Sequence, residues 1–145
     1  MSLHPYNIAK YKNKPDAFTF VSKGIKDVKK VIQITATDLP NVYNLAMGDE
    51  ISGEIDYTNR TNNGDTDRVM ETIAHIILQY TATNPDRSVF VAGNTPAKTR
   101  LYQMYLSNNL QSVETVFEVY GLMAGTSFEV FQKNKNFSGF LVRRR

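Results

Sequence analysis

The stretch from Ser88 to Leu106 constrains the fold most. SVFVAG (Ser88 to Gly93) is short and apolar on both faces, the pattern of a central strand covered on both sides. Thr95 and Pro96 follow, a capping hydroxyl and then a proline suited to the first helical position. Ala97, Leu101, Met104 and Tyr105 then repeat at helical steps, and Asn108-Asn109 is the expected end. A buried strand therefore runs through a tight turn into a helix.

The flanking segments give the architecture. FTFVS (Phe18 to Ser22), KKVIQITAT (Lys29 to Thr37) and VYNLAMGD (Val42 to Asp49) alternate, are rich in β-branched and aromatic types, and are separated by Lys23-Gly24 and Asp38-Leu39-Pro40-Asn41. They predict a three-stranded antiparallel meander. A short strand at Glu54 to Tyr57 and a tight turn at Asn62-Asn63-Gly64 are expected next. Val69, Met70, Ile73, Ile76, Ile77 and Tyr80 form one helical stripe, capped by Asp65, Thr66 or Asp67 and ended by Asn84-Pro85-Asp86. VFEVYGL (Val116 to Leu122), FEVFQK (Phe128 to Lys133) and SGFLVRR (Ser138 to Arg144) read as three further strands. The order β-β-β-α-β-α-β-β-β predicts an α+β fold: a mixed, mainly antiparallel sheet with two helices packed on it. Residues 1–15 are expected to form an N-terminal arm, and 16–145 a single domain.

At 145 residues the chain is long enough to bury a core without staples. It has no cysteine, which removes disulfides, thiolate metal sites and a cysteine nucleophile. Its apolar runs fall far short of the roughly 20 residues of a membrane span, and the N-terminus lacks the apolar centre of a signal peptide. A cytoplasmic location and no membrane partner are expected. The net charge of +3 hides a strong asymmetry. Residues 1–30 carry seven lysines against two acids, 31–67 one base against seven acids, and 68–145 nine bases against five acids. A basic balance permits polyanion binding, and an ordinary solvated face explains it equally.

Few residues carry chemistry. The turn Ala92-Gly93-Asn94-Thr95-Pro96 brings backbone amides and a helix dipole to the end of a buried strand, where an anion can be received. Gly93 permits close approach, Asn94 and Thr95 add polar side chains, and Lys98 and Arg100 add charge where the helix dipole disfavours it. These five residues form the candidate anion site, with Tyr102 as a possible stacking platform. A tight connection, an ordinary cap and two solvated bases account for the same residues without a ligand. The spacing of a P-loop is absent. The acids Asp49, Glu50, Glu54, Asp56, Asp65, Asp67 and Glu71 do not follow a calcium-loop pattern, and His4 and His75 lack partners at zinc spacing. A ribonuclease-H-like reading fails because FTFVS and Gly93-Asn94 offer no carboxylate beside Glu71. No metal or cofactor is expected.

The turn GNTPAKTRLY, together with YNLAMGDEISGEID, NNGD, VYGL and FLVRR, resembles a bacterial family of small proteins of unassigned function. The resemblance runs from about Phe18 to Arg144. Family members look like G-[ST]-TPARTRLY, so Asn94 replaces a small hydroxyl residue and Lys98 an arginine. The resemblance implies the architecture and no activity. Three functions remain as expectations. The first is a non-catalytic module binding a phosphate, nucleotide or nucleic-acid group at residues 93–100. The second is a small metal-independent nuclease or phosphoryl hydrolase using Arg100, a tyrosine and a carboxylate. The third is a homodimeric interaction domain, docking by an edge strand such as Ser138–Arg144.

Overall fold

A computed structural model describes residues 4–58, 63–123 and 127–145. Among them run β1 (Ala9–Lys10), β2 (Ala17–Lys23), β3 (Asp27–Ala36), β4 (Val42–Ile51), β5 (Glu54–Asp56), α1 (Thr66–Thr83), β6 (Ser88–Val91), α2 (Pro96–Glu114), β7 (Phe117–Leu122), β8 (Phe128–Val130) and β9 (Gly139–Arg144). The strands form one sheet in the order β1-β2-β3-β4-β6-β9-β7-β8, with β5 paired to β4. Only β4 and β6 pair in parallel; every other neighbouring pair among the described residues is antiparallel. This is the mixed, mainly antiparallel α+β sheet that the element order predicts.

The expected meander is β2-β3-β4, in a register that places Phe18 beside Ile32 and Ile34 beside Leu45. Period-two alternation sends these side chains to one face. There they meet Val69, Ile73, Ile76 and Tyr80 of α1, Leu106 of α2, and Val89, Val91, Phe140 and Val142 of the central strands in one buried cluster. Both helices therefore lie on the same face. The helices cover one side of β6, and on the other side Ser88 is buried without a helix above it. On the far face Phe90 is half-buried under local cover, with the Phe128 ring at 6.2 Å and nearly perpendicular. Tyr11, Ala17 and Val31 make a small second cluster on that face.

Residues 4–15, read as an arm, lie against the sheet. Ala9 and Lys10 pair with β2, and both Tyr6 and Tyr11 are buried. Of the expected turn Asn62-Asn63-Gly64, Asn62 lies outside the described residues, while Gly64 takes φ +79° as anticipated.

Three expectations are corrected in the C-terminal half. Asn108-Asn109 does not end α2. Asn109 leaves helical geometry (φ −122°, ψ 15°), and its side-chain amide donates to the Tyr105 carbonyl at 2.8 Å. The side chain thus ties Asn109 back to the preceding turn, and the helix bends and continues. In α2 the buried residues are Thr99 and Leu106, while Met104, expected on the inner stripe, is 52% exposed. Nor is β9 an edge strand: it lies between β6 and β7, with both sides paired. The strand order ends at β1 and β8, and β5 pairs on one side only among the described residues.

The terminal arginines act on the protein itself. Arg144 donates to the Leu78 carbonyl at 2.7 Å and to Thr81 Oγ1 at 3.2 Å, a cation on the last turn of α1. Arg145 donates to the Glu114 carbonyl at the end of α2, and Arg143 pairs with Glu118 at 2.9 Å. No helix among the described residues is long and apolar enough to cross a membrane.

Candidate functional site

β4 and β6 run parallel, with Leu45 beside Val91; β6 leads through the Gly93 turn into α2, while β4 turns back through β5 before the chain reaches α1. The starts of α1 and α2, at Thr66 and Ala97, nevertheless line one cleft with the carboxyl-terminal part of β4, beside the end of a parallel pair, where open sheets commonly take ligands.

The α2 turn is built tightly. A Cβ on Gly93 would stand 2.3 Å from Lys98 Cβ and 2.5 Å from the Thr99 nitrogen. The helix itself occupies the space that glycine vacates. The Gly93 amide donates to Thr99 Oγ1 at 3.1 Å, and Thr99 Oγ1 donates to the Thr95 carbonyl at 3.2 Å. Thr95 stands at the cap as expected, extended at φ −136° and ψ 156°, and its hydroxyl oxygen accepts the Lys98 amide at 3.2 Å. Pro96 brings no N–H. The Ala97 amide is left over. Asn94 spends a side-chain hydrogen on the Tyr57 carbonyl at 2.8 Å, tying the turn to the exit of β5.

α1 starts differently. Asp65 occupies the cap position but makes no cap bond. Its carboxylate instead accepts from the Tyr6 hydroxyl and from Ser22 Oγ, both at 2.5 Å. Two O–H donors have outcompeted the helix amides, and the positive end of α1 is left without a side-chain cap.

Between the two starts lies a cleft of about 240 Å³. Lys30 and Asp49 are at its base, and Asp65, Thr95, Ala97, Lys98 and Tyr102 line it. Lys30 Nζ donates to Asp49 Oδ1 at 2.7 Å, with both side chains buried. Among the described lining residues the formal charges of Lys30, Lys98, Asp49 and Asp65 cancel, and each helix N-terminus adds about +0.5 charge, which favours an anion. Tyr102 follows Lys98 by four residues on the same helix face. Burial pushes its phenol up to about 12, so it stays a neutral donor. On the other side of the Gly93 turn a recess of about 220 Å³ also takes Lys98 and Tyr102.

Of the six sequence-predicted residues, Thr95, Lys98 and Tyr102 come together in the cleft. Gly93 and Asn94 lie behind the turn and line the neighbouring recess. Arg100 is exposed and is not among the side chains lining the cleft. Two residues on from Lys98, it sits about 200° round the helix. Arg100 and Tyr102 therefore do not converge. Tyr102 packs against the core, so its ring is a wall of the cleft and no exposed platform.

Three residues of the cleft are not grouped with the turn in the sequence: Lys30, and Asp49 and Asp65, which read there only as cation ligands or as a helix cap. A signal existed for two of them. Lys30 continues the inward alternation of Ile34 and Ile32, and Asp49 continues that of Leu45 and Met47. Two charges of opposite sign on the apolar faces of neighbouring strands mark a buried pair. Among the described residues no group of three or more His, Asp or Glu side chains is gathered closely enough to hold a metal ion.

The fold and cleft define an α+β domain with an open mixed sheet and a polar cleft between two helix starts. The chain belongs to a family of unknown function (DUF6934), whose model matches residues 2–145. No curated protein and no solved structure gives a significant match.

Proposed function

We propose that the protein is a non-catalytic binding module that takes a small anionic group, a phosphate or carboxylate, into the cleft between the two helix N-termini. One observation carries this reading: both helix starts and the Lys98 side chain meet in one cleft beside the carboxyl-terminal part of β4. Lys98 supplies charge, the Ala97 amide and the uncapped first turn of α1 supply donors, and Tyr102 supplies a neutral hydroxyl. Arg100 takes no part. A small ligand suits the cleft better than a nucleic-acid track, because Arg143, Arg144 and Arg145 are engaged with the protein's own groups.

Calorimetric titration with methyl phosphate and with a single-stranded oligonucleotide tests the reading. The ester binds, Lys98→Met weakens it by tenfold or more, and Arg100→Met leaves it unchanged. Equal affinity of the wild type and a folded Lys98→Met variant overturns the proposal, and so does binding of the oligonucleotide alone.

A further inference from the structure

Behind the cleft, between α1, α2 and the sheet, lies a second recess of about 80 Å³. Its walls include Ala74, Ile77, Val91, Leu106 and Phe140, all apolar. Met70 and Tyr102 line both this recess and the polar cleft. The two spaces are thus neighbours across a pair of side chains, one carrying Lys30, Lys98, Asp49 and Asp65 among apolar walls, the other almost wholly apolar.

We infer that the ligand is an anion bearing a short branched alkyl group, with its charged end in the cleft by Lys98 and its alkyl end in the apolar recess behind Met70 and Tyr102. This inference rests on the anion-binding reading and adds the other half of the ligand. Size sets the class. An apolar cavity of about 150 Å³ accommodates benzene, and a recess about half that size suits a branched group of three or four carbons. An aromatic ring or a long acyl chain is too large for it. Chemistry sets the polarity. The recess offers no charge to a second ionic group, and a wholly polar ligand would leave apolar walls in contact with water. Each methylene moved from water into such a site tightens binding by about fourfold.

The experiment compares methyl, isobutyl and phenyl phosphate by calorimetry on the full chain. Isobutyl phosphate binds at least tenfold more tightly than methyl phosphate and more tightly than phenyl phosphate. In Ala74→Leu, whose larger side chain occupies the recess, the isobutyl advantage falls to near one while methyl phosphate binds as before. If Ala74→Leu does not fold, Val91→Ile adds one methyl to the same wall and reduces the advantage severalfold. Equal affinity for methyl and isobutyl phosphate overturns the inference and leaves anion binding standing. No binding of any ester overturns both. Tighter binding of phenyl phosphate, or an undiminished isobutyl advantage in a folded recess-filling variant, overturns the alkyl assignment.

Discussion

Lys30 and Asp49 are directly opposed across β3 and β4, joined at 2.7 Å and buried beneath the starts of both helices. Burying two charges is costly, and their mutual attraction mainly offsets that cost. Removing Asp49 strands the buried Lys30. Asp49→Leu is expected to lose about 3–5 kcal/mol of stability. The double variant Lys30→Met/Asp49→Leu should recover most of that loss, because both charges go together. It should also deprive the cleft of its polar base and weaken anion binding. Urea denaturation of the two singles and the double, analysed as a cycle, measures the coupling. Additive single losses would show that the pair is not a unit.

Asp65 is the second place where a charge is used unexpectedly. Its carboxylate joins Tyr6 near the N-terminus, Ser22 of β2 and the start of α1. The Tyr6 ring stacks on Phe20 at 5.8 Å, with Arg68 3.9 Å above it. Tyr6→Phe keeps the ring and deletes one charge-assisted bond, an expected loss of about 1.5–3 kcal/mol. Asp65→Ala should cost more, since it leaves two hydroxyls without their acceptor. Hydrogen exchange should show residues 4–12 opening first in both variants. If that segment stays as protected as in the wild type, the carboxylate does not fasten it.

Gly93→Ala probes the turn. The added methyl would collide with Lys98 Cβ and the Thr99 nitrogen, so α2 must shift or the turn must open. A loss of about 1–3 kcal/mol is expected from the overpacking. Because Lys98 is the group struck, methyl phosphate affinity should fall as well. Thermal melting and calorimetry on one preparation check both. Unchanged melting would mean that the strand end and helix start are less closely packed than the structure has them.

The meander, the first helix and the β6-turn-α2 unit were legible because each obeys a short-range rule: alternation, a stripe at steps of three and four, a cap followed by proline. The cleft was legible only in half. Thr95, Lys98 and Tyr102 share one helix, so local spacing groups them. Lys30, Asp49 and Asp65 reach the same place from three distant segments: strand register pairs the first two, and bonds to Tyr6 and Ser22 hold the third. Arg100 shows the opposite failure. It is close to Lys98 in sequence, yet the helix turns it away. Asn109 shows a third kind, since a residue that commonly ends helices here bridges a kink with its own side chain.

The tyrosines give the chain a predictable response to alkali. Burial raises Tyr6, Tyr57, Tyr80, Tyr102 and Tyr105 above the ordinary value of 10.0, with Tyr102 pushed up to about 12. A hydrogen bond to Glu71 raises Tyr105 further, and one to Asp65 does the same for Tyr6. Below about pH 10 these groups are protonated in both the folded and unfolded chain, and their neutral burial is fully favourable. Above it the unfolded chain releases protons that the folded chain keeps. The unfolded state then binds fewer protons, and stability must fall as pH rises. The decline is expected between pH 10 and 12, with Tyr102 among the last phenols to ionise in the folded protein. Tyr102→Phe should flatten the slope in that window without altering it below pH 9. Urea midpoints measured from pH 8 to 12, beside phenolate absorbance, test this. A wild-type midpoint that holds steady through pH 11 would contradict the burial of these hydroxyls.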